Sequence, residues 1–393
     1  MKVAVVLTRI PFPLMKGDKL RAYYQIKELS KEHEIHLFCL NYKDEEEKAK
    51  QELYKYCKTI HIEKLNLFTS LWRVALSLFS NIPFQTAYYN SLRAKKRLCE
   101  FVDKNEIDIC YFQFVRLAPF AKRIKQRKVL DFQDTLSVNM KRRADKSNLL
   151  SRLIFSYEAK KLAKYEAKMF DCFDALTIIT DADRELLKTD RRNEVKIIAN
   201  GVSENYFEYP KRENKPFDLL FSGAMSYAPN IDAAEYLIKE IMPIVWQQKP
   251  DVKIAIAGGG APLSLQKLAN ERVVMPGWVD DMKEYYSQSN IFIAPMQIGT
   301  GLQNKLLEAM AMNMPCITSP LANQALKAKD KTEILIANNA KEYADCVLRL
   351  LDNPTLAKEI ADAGKDYVYQ HYSWKTNCDR LSEIFYELNS LSR

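Results

Sequence analysis

The feature that most constrains this chain is its alternation of short apolar runs with stretches of helical period. In the first half the runs are Lys2–Leu7, Glu34–Leu40, Thr59–Ile62, Ile107–Gln113, Lys128–Phe132, Asp174–Thr180 and Val195–Ile198. In the second they are Phe217–Ser222, Val252–Ala257, Val273–Met275, Ile291–Ala294, Cys316–Thr318 and Glu333–Ile336. A continuous apolar run suits a strand buried on both faces. Strands separated by helices cannot pair through hairpins, so the pattern predicts parallel sheets joined by helical crossovers. At 393 residues the chain is long enough for two such cores. A polar run from Asn200 to Phe217, with Pro210 and Pro216, separates the halves. The expected division is residues 1–198, a linker at 199–216, a second domain at 217–372 and a C-terminal amphipathic helix at 373–393.

Composition removes several function classes. The chain is 47% hydrophobic and 28% charged, ordinary for a globular protein. Its 8 Cys are scattered without a CxxC pair, and Cys39 and Cys316 sit inside apolar runs. They read as reduced core residues of a cytoplasmic protein. The 4 His show no ligand spacing, so no metal site is expected. The apolar start, MKVAVVLTRI, is too short for a signal peptide and reads as a first strand. No run is long and apolar enough to span a membrane.

Charge is uneven. Residues 1–200 hold 39 Lys+Arg against 26 Asp+Glu, a net +13, and residues 201–393 hold 20 against 24, a net −4. A basic first half suits an anionic membrane surface or an anionic acceptor. No nucleic-acid-binding motif accompanies the charge, so nucleic acid is not the expected partner. The segment Leu65–Phe84 (LNLFTSLWRVALSLFSNIPF) has a broad apolar face with Trp72 and a single charge, Arg73. It either dips into a membrane interface or packs on the core or an acceptor cleft.

The chemistry-bearing stretch is Ile291–Pro320, IFIAPMQIGTGLQNKLLEAMAMNMPCITSP. A strand leads into Gly299-Thr300-Gly301, and a helix is predicted from Leu302 to about Met312 with Thr300 as N-cap and Gln303 closing a capping box. Glycines admit close approach of a phosphate, and the first amides of a helix lack internal partners. Lys305 and Glu308 share one helix face. A phosphate at the cap and a hydroxyl-rich ring at Glu308 would fit, because a carboxylate accepts readily from a diol and repels a diphosphate. The helix opening at Gly17-Asp18-Lys19-Leu20-Arg21, after the first strand, is a second candidate anion site. The alternative for Arg21 is a surface residue on a capped helix. The triplet Gly258-Gly259-Gly260 with Asp280 and Asp281 beyond it invites a dinucleotide reading. That reading fails, because the triplet is not GxGxxG and the acids close no second strand.

The stretch PMQIGTGLQNKLLEAMAMNMPCITS resembles the C-terminal signature of retaining glycosyltransferases of family four, which have the GT-B fold, in a subgroup with a Gly-Thr-Gly-x-x-Asn-Lys variant. The resemblance implies an α/β chain of two Rossmann-like domains with parallel sheets facing an interdomain cleft, the last helix crossing back onto the first domain. It implies a nucleotide diphosphate sugar, UDP- or GDP-linked, as donor substrate with no separate cofactor, and a glycan or lipid-linked acceptor. It places the ribose at Glu308 and a phosphate at Lys305, with Gly299, Thr300, Gly301 and Leu302 at the anion turn. Gly223 would approach the diphosphate, and Gly277-Trp278-Val279 would lie along the base, with a packed core aromatic as the alternative for Trp278. Gly17 and Arg21 would line the diphosphate and acceptor.

Two departures stand out. Thr300 occupies the place of an earlier Glu in the usual pattern, and Gln133 that of an acceptor-side His. Gln cannot act as a base. Asp134 is the nearest replacement, with a loop or cap carboxylate as its alternative. The implied activity is sugar transfer with retention, in cell-surface polysaccharide or glycoconjugate synthesis, at the cytoplasmic face of a membrane. The competing classes are a nucleotide-sugar epimerase of the same fold and a non-catalytic nucleotide- or nucleic-acid-binding protein.

Overall fold

Each half of the chain begins in the middle of its own sheet. The computed structural model describes residues 1–14, 17–41, 47–145, 147–210, 212–298 and 302–390. The first-half strands are β1 (Lys2–Leu7), β2 (Glu34–Asn41), β3 (Thr59–Lys64), β4 (Ile109–Gln113), β5 (Arg127–Asp131), β6 (Ala175–Ile178) and β7 (Lys196–Ile197). They lie in the order β3-β2-β1-β4-β5-β6-β7, and every pair is parallel. The second-half strands are β8 (Phe217–Ser222), β9 (Ile254–Ala257), β10 (Val273–Gly277), β11 (Ser289–Ala294), β12 (Cys316–Thr318) and β13 (Leu335–Ile336). Their order is β10-β9-β8-β11-β12-β13, again all parallel. Among the described residues the sheets thus have 7 and 6 strands, the two Rossmann-like α/β units expected. The strand order reverses between β1 and β4, and between β8 and β11. At such points the loops leaving the C-terminal strand ends part and leave a crevice.

Contacts divide the chain into Met1–Gly201 with Asn377–Arg393, and Val202–Thr376. Cys378, Leu381, Ile384, Phe385 and Leu388, from the last helix (Trp374–Ser390), are buried with β1, β2 and the Gly17–Leu29 helix. Residues 202–210 are not a free tether. Val202 donates its amide to Tyr372 O at 2.7 Å, and a short helix follows at Glu204–Phe207.

The centre of the first unit is polar. Arg21 is fully buried. Its Nε donates to Asp131 Oδ2 at 2.7 Å, Nη1 to Asn200 Oδ1 at 2.9 Å and Nη2 to Ile198 O at 2.8 Å. Tyr111 also donates to Asp131 Oδ2 (2.8 Å), and the Gln133 amide donates to Oδ1 (3.1 Å). One guanidinium therefore pins the first helix to the ends of β5 and β7. Removing one member of such a pair leaves the other charge buried and alone. Arg21→Ala should therefore lower unfolding free energy by about 3–5 kcal/mol in urea titrations. A loss under about 1 kcal/mol would mean that Asp131 finds water or another donor.

Candidate functional site

Three strand ends in the second unit converge through glycine. Gly223 follows β8 at φ +154° and donates its amide to Ala257 O at 3.0 Å. Gly258 follows β9 at φ +139° and donates to Gly277 O at 3.0 Å. A Cβ on Gly258 would lie 1.8 Å from Gly223 O, so no side chain fits there. The triplet Gly258-Gly259-Gly260 thus seats one loop against its neighbour, with Met225 donating its amide to Gly259 O at 2.8 Å.

Trp278 covers Gly259 with one edge and is 80% exposed. Its Nε1 donates to Asp280 Oδ1 at 3.1 Å. The core-aromatic alternative for Trp278 is therefore overturned: the ring is a free surface beside a glycine turn. Val279 is half-buried on the core, and Gly277 has φ +76° with open space around it.

The signature helix starts later than its capping pattern suggests. It spans Asn304–Ala311, and its N-cap is Gln303 rather than Thr300. Leu302 precedes the helix and packs on the core. Gly299, Thr300 and Gly301 lie outside the described residues. Lys305 sits in the first turn and Glu308 three residues on, so their side chains share a face about 4.5 Å apart along the axis.

Each is held from another element. Lys305 Nζ donates to Asn230 Oδ1 and lies 4.7 Å from the Phe221 ring centroid. A Cβ added to Gly223 would be 3.2 Å from this Nζ, so the glycine borders the ammonium. Tyr286 Oη donates to Glu308 Oε2 at 3.0 Å and accepts from Ser222 Oγ, also at 3.0 Å. Burial holds the Tyr286 phenol well above its ordinary pKa, so it remains a donor.

The charges are poised. Both side chains are partly accessible yet hemmed in by protein. Burial lowers the Lys305 pKa to about 8, against the attraction of Glu308. Burial raises Glu308 to about 7, against the Tyr286 hydrogen bond and Lys283 and Lys305. Among the described residues no carboxylate lies within ion-pair distance of Lys305. The Lys305 ammonium is thus half-buried at a strand-end crevice, and the attraction of Glu308 does not offset the cost of that burial. Glu308 Oε1 takes no part in the Tyr286 bond.

Residues 216–353 match the family model described as Glycosyl transferases group 1. Over 390 residues, 95% of this chain and 97% of the relative, the sequence is 22% identical to an uncharacterized 44.6 kDa protein in the cps region of Klebsiella pneumoniae. A glycosyltransferase from Rickettsia africae superposes with a TM-score of 0.67 at 15% identity, covering 98% of each chain. Anabaena HepE, solved with UDP-glucose, superposes with a TM-score of 0.63 at 12% identity, covering 98% of this chain and 99% of that one. At these identities the likeness establishes the GT-B fold.

All of Gly223, Gly277, Trp278, Val279, Leu302, Lys305 and Glu308 fall within the matched residues 216–353. Gly17, Arg21 and Asp134 belong to the first unit. Arg21 is not available to a phosphate or acceptor, because its guanidinium is spent on Asp131, Ile198 and Asn200. Gly17 is the first residue of its helix, with nothing among the described residues within 4 Å of where a Cβ would stand, and Asp18 beside it pairs with Arg9 Nε at 3.0 Å.

Gln133, at φ +64°, is buried and donates to Gln113 Oε1 at 3.1 Å, which in turn donates to Gln25. It is a structural amide. Asp134 differs. Its Oδ2 accepts from Asn139, while Oδ1 is buried without a partner. Burial, then the neighbouring Asp183, raises its pKa to about 6 against the pull of Arg116.

Sequence reasoning missed Ser222, Asn230 and Tyr286. Ser222 adjoins the expected Gly223. Nothing local marks Asn230 or Tyr286, which reach Lys305 and Glu308 across 75 and 22 residues. Among the described residues no cluster of metal-ligating side chains forms.

Gly258→Ala tests the glycine contact. The new carbon has nowhere to go, so β8 and β9 must separate or strain. The variant should lose about 1–3 kcal/mol of stability in urea melts and release Gly223 from Lys305. Wild-type stability would show that the turn is not held by this contact.

Proposed function

We propose that this protein is a retaining glycosyltransferase. It moves a sugar from a UDP- or GDP-linked donor to a hydroxyl of a glycan or lipid-linked acceptor. The observation that carries the reading is the pair on the Asn304–Ala311 helix. Lys305 is a cation without a carboxylate partner, and one turn away Glu308 is a carboxylate fixed by Tyr286. An ammonium for a phosphate and a carboxylate for a ribose diol match the two ends of a nucleoside diphosphate. The group 1 match over the same residues and the GT-B fold support the reading.

In the reaction proposed, the anomeric C–O bond to the diphosphate breaks while the acceptor oxygen bonds to the same face of the sugar. The acceptor proton passes to the departing phosphate. Lys305 and the amides of the preceding turn neutralise the leaving group, so no metal is required. Exposed Trp278 offers its ring to the base. Asp134, a carboxylate with a free oxygen, is assigned to the acceptor side. Arg21 is assigned a structural part only.

Calorimetric titration of UDP, GDP and ADP without metal tests the donor site. One diphosphate should bind at micromolar Kd, and Glu308→Ala should weaken it by about 1–3 kcal/mol. No binding by any of the three would overturn the reading and favour a protein that handles neither nucleotide nor sugar donor.

The same titration across pH gives a second check. Glu308 accepts from a diol only when ionised, and Lys305 meets a phosphate best when protonated. With free-protein values of about 7 and about 8, affinity should peak between them. It should fall below pH 7 as Glu308 takes a proton, and above pH 8 by up to about tenfold per unit as Lys305 loses one. In Lys305→Met the alkaline limb should vanish, and its persistence would assign that limb to another group.

A further inference from the structure

The helix Leu67–Ser77 is built inside out. Its buried residues are Ser70 and Ser77, while Phe68 is 84% exposed, Trp72 67% and Phe79, just beyond its end, 92%. The alternative that this segment packs on the core is thereby excluded. The neighbouring helix, Leu149–Ala167, repeats the inversion. Leu149 and Leu153 are exposed, while Glu158 and Glu166 are buried.

The two helices touch. Lys161 Nζ donates to Ser77 O at 2.6 Å, and the Phe84 and Tyr157 rings lie 5.9 Å apart. Both helices thus leave apolar side chains in solvent within the first unit. Exposed apolar faces of this kind call for a partner.

Charge says what the partner is. From Lys64 to Cys99, and again from Lys146 to Tyr157, the sequence contains no Asp or Glu. The carboxylates of the second helix are turned inward. Glu158 accepts the amides of Phe84 (2.7 Å) and Gln85 (3.0 Å), and Glu166 accepts both the amide (3.0 Å) and hydroxyl (2.6 Å) of Ser137. Beyond Tyr157 its exposed residues are the lysines Lys160 and Lys164. With Lys168, Lys188 and the buried Lys161 they line a cavity of about 610 Å³ that Tyr157 shares with the apolar residues. Among the described residues Lys160, Lys164, Lys168 and Lys188 pair with no carboxylate.

An apolar face bordered by unpaired lysines fits a bilayer with anionic head groups, tails against the rings and phosphates in the lysine cavity. A second copy of this chain would bring lysines against lysines. We infer that the Leu67–Phe79 and Leu149–Tyr157 surface docks the protein on an anionic membrane, with the lysine cavity receiving lipid phosphates.

Vesicle co-sedimentation of the full chain tests this. Wild type should pellet with phosphatidylcholine vesicles containing phosphatidylglycerol, and far less with phosphatidylcholine alone. Lys160→Glu/Lys164→Glu/Lys168→Glu should lower partitioning about a hundredfold, since each lysine near an anionic surface is worth about a factor of five. Phe68→Ser/Trp72→Ser/Phe79→Ser should also release it. All these positions are exposed, so circular dichroism should be unchanged. Quenching of fluorescence by brominated lipid should disappear in Trp72→Phe. Equal binding to both vesicle types would overturn the requirement for an anionic surface and with it the part given to the lysines. No binding to either, or an apolar variant that only dissolves a dimer seen by sedimentation equilibrium, would overturn membrane docking.

Discussion

A strand in a parallel sheet cannot turn straight back onto its neighbour, and from that constraint the rest of this molecule follows. Each strand needs a crossover, so the loops that leave its C-terminal end collect on one edge. Because both halves start at a central strand and build first one way and then the other, the loops at β1/β4 and β8/β11 diverge. The ends of β5 and β8 carry Asp134 and Gly223, and the helix after β11 carries Lys305 and Glu308. The topology supplies the place, and the residue types decide what it can hold.

What stands in such a place is governed by desolvation. Arg21 and Lys305 are both cations close to strand ends, yet their fates differ. Arg21 is fully buried, and every side of its guanidinium is met by Asp131, Ile198 or Asn200. Lys305 has an amide oxygen, a ring face and no carboxylate partner, and its pKa falls to about 8. The first residue stabilises its unit, and the second is left able to respond to a ligand. The same accounting separates Gln133, whose amide is used within a chain of glutamines, from Asp134, whose Oδ1 has no partner.

The sheets were legible because buried parallel strands are written as continuous apolar runs. Lys305 and Glu308 were legible because three-residue spacing on a helix is a local property. Errors arose where long-range contacts decide. The Thr300–Gln303 pair looks like a capping box, but the helix begins at Asn304. Arg21 looks like an anion ligand until Asp131, 110 residues away, takes it. Trp278 reads equally as a residue along the base or a packed core aromatic, and only its exposure in the fold, 80%, removes the second. The helix Leu136–Asp145 has little apolar period to announce it, and Glu166 from the following helix holds its first turn.

The division of the chain also bears on the order in which the protein can be finished. The second unit is one continuous stretch, Val202–Thr376, while the first needs both Met1–Gly201 and Asn377–Arg393. Five buried side chains of the first core, from Cys378 to Leu388, leave the ribosome only after the whole of the second unit. During synthesis the first half must therefore wait, its sheet lacking part of one cover, while the second half already has everything it requires. The part translated first is the part completed last.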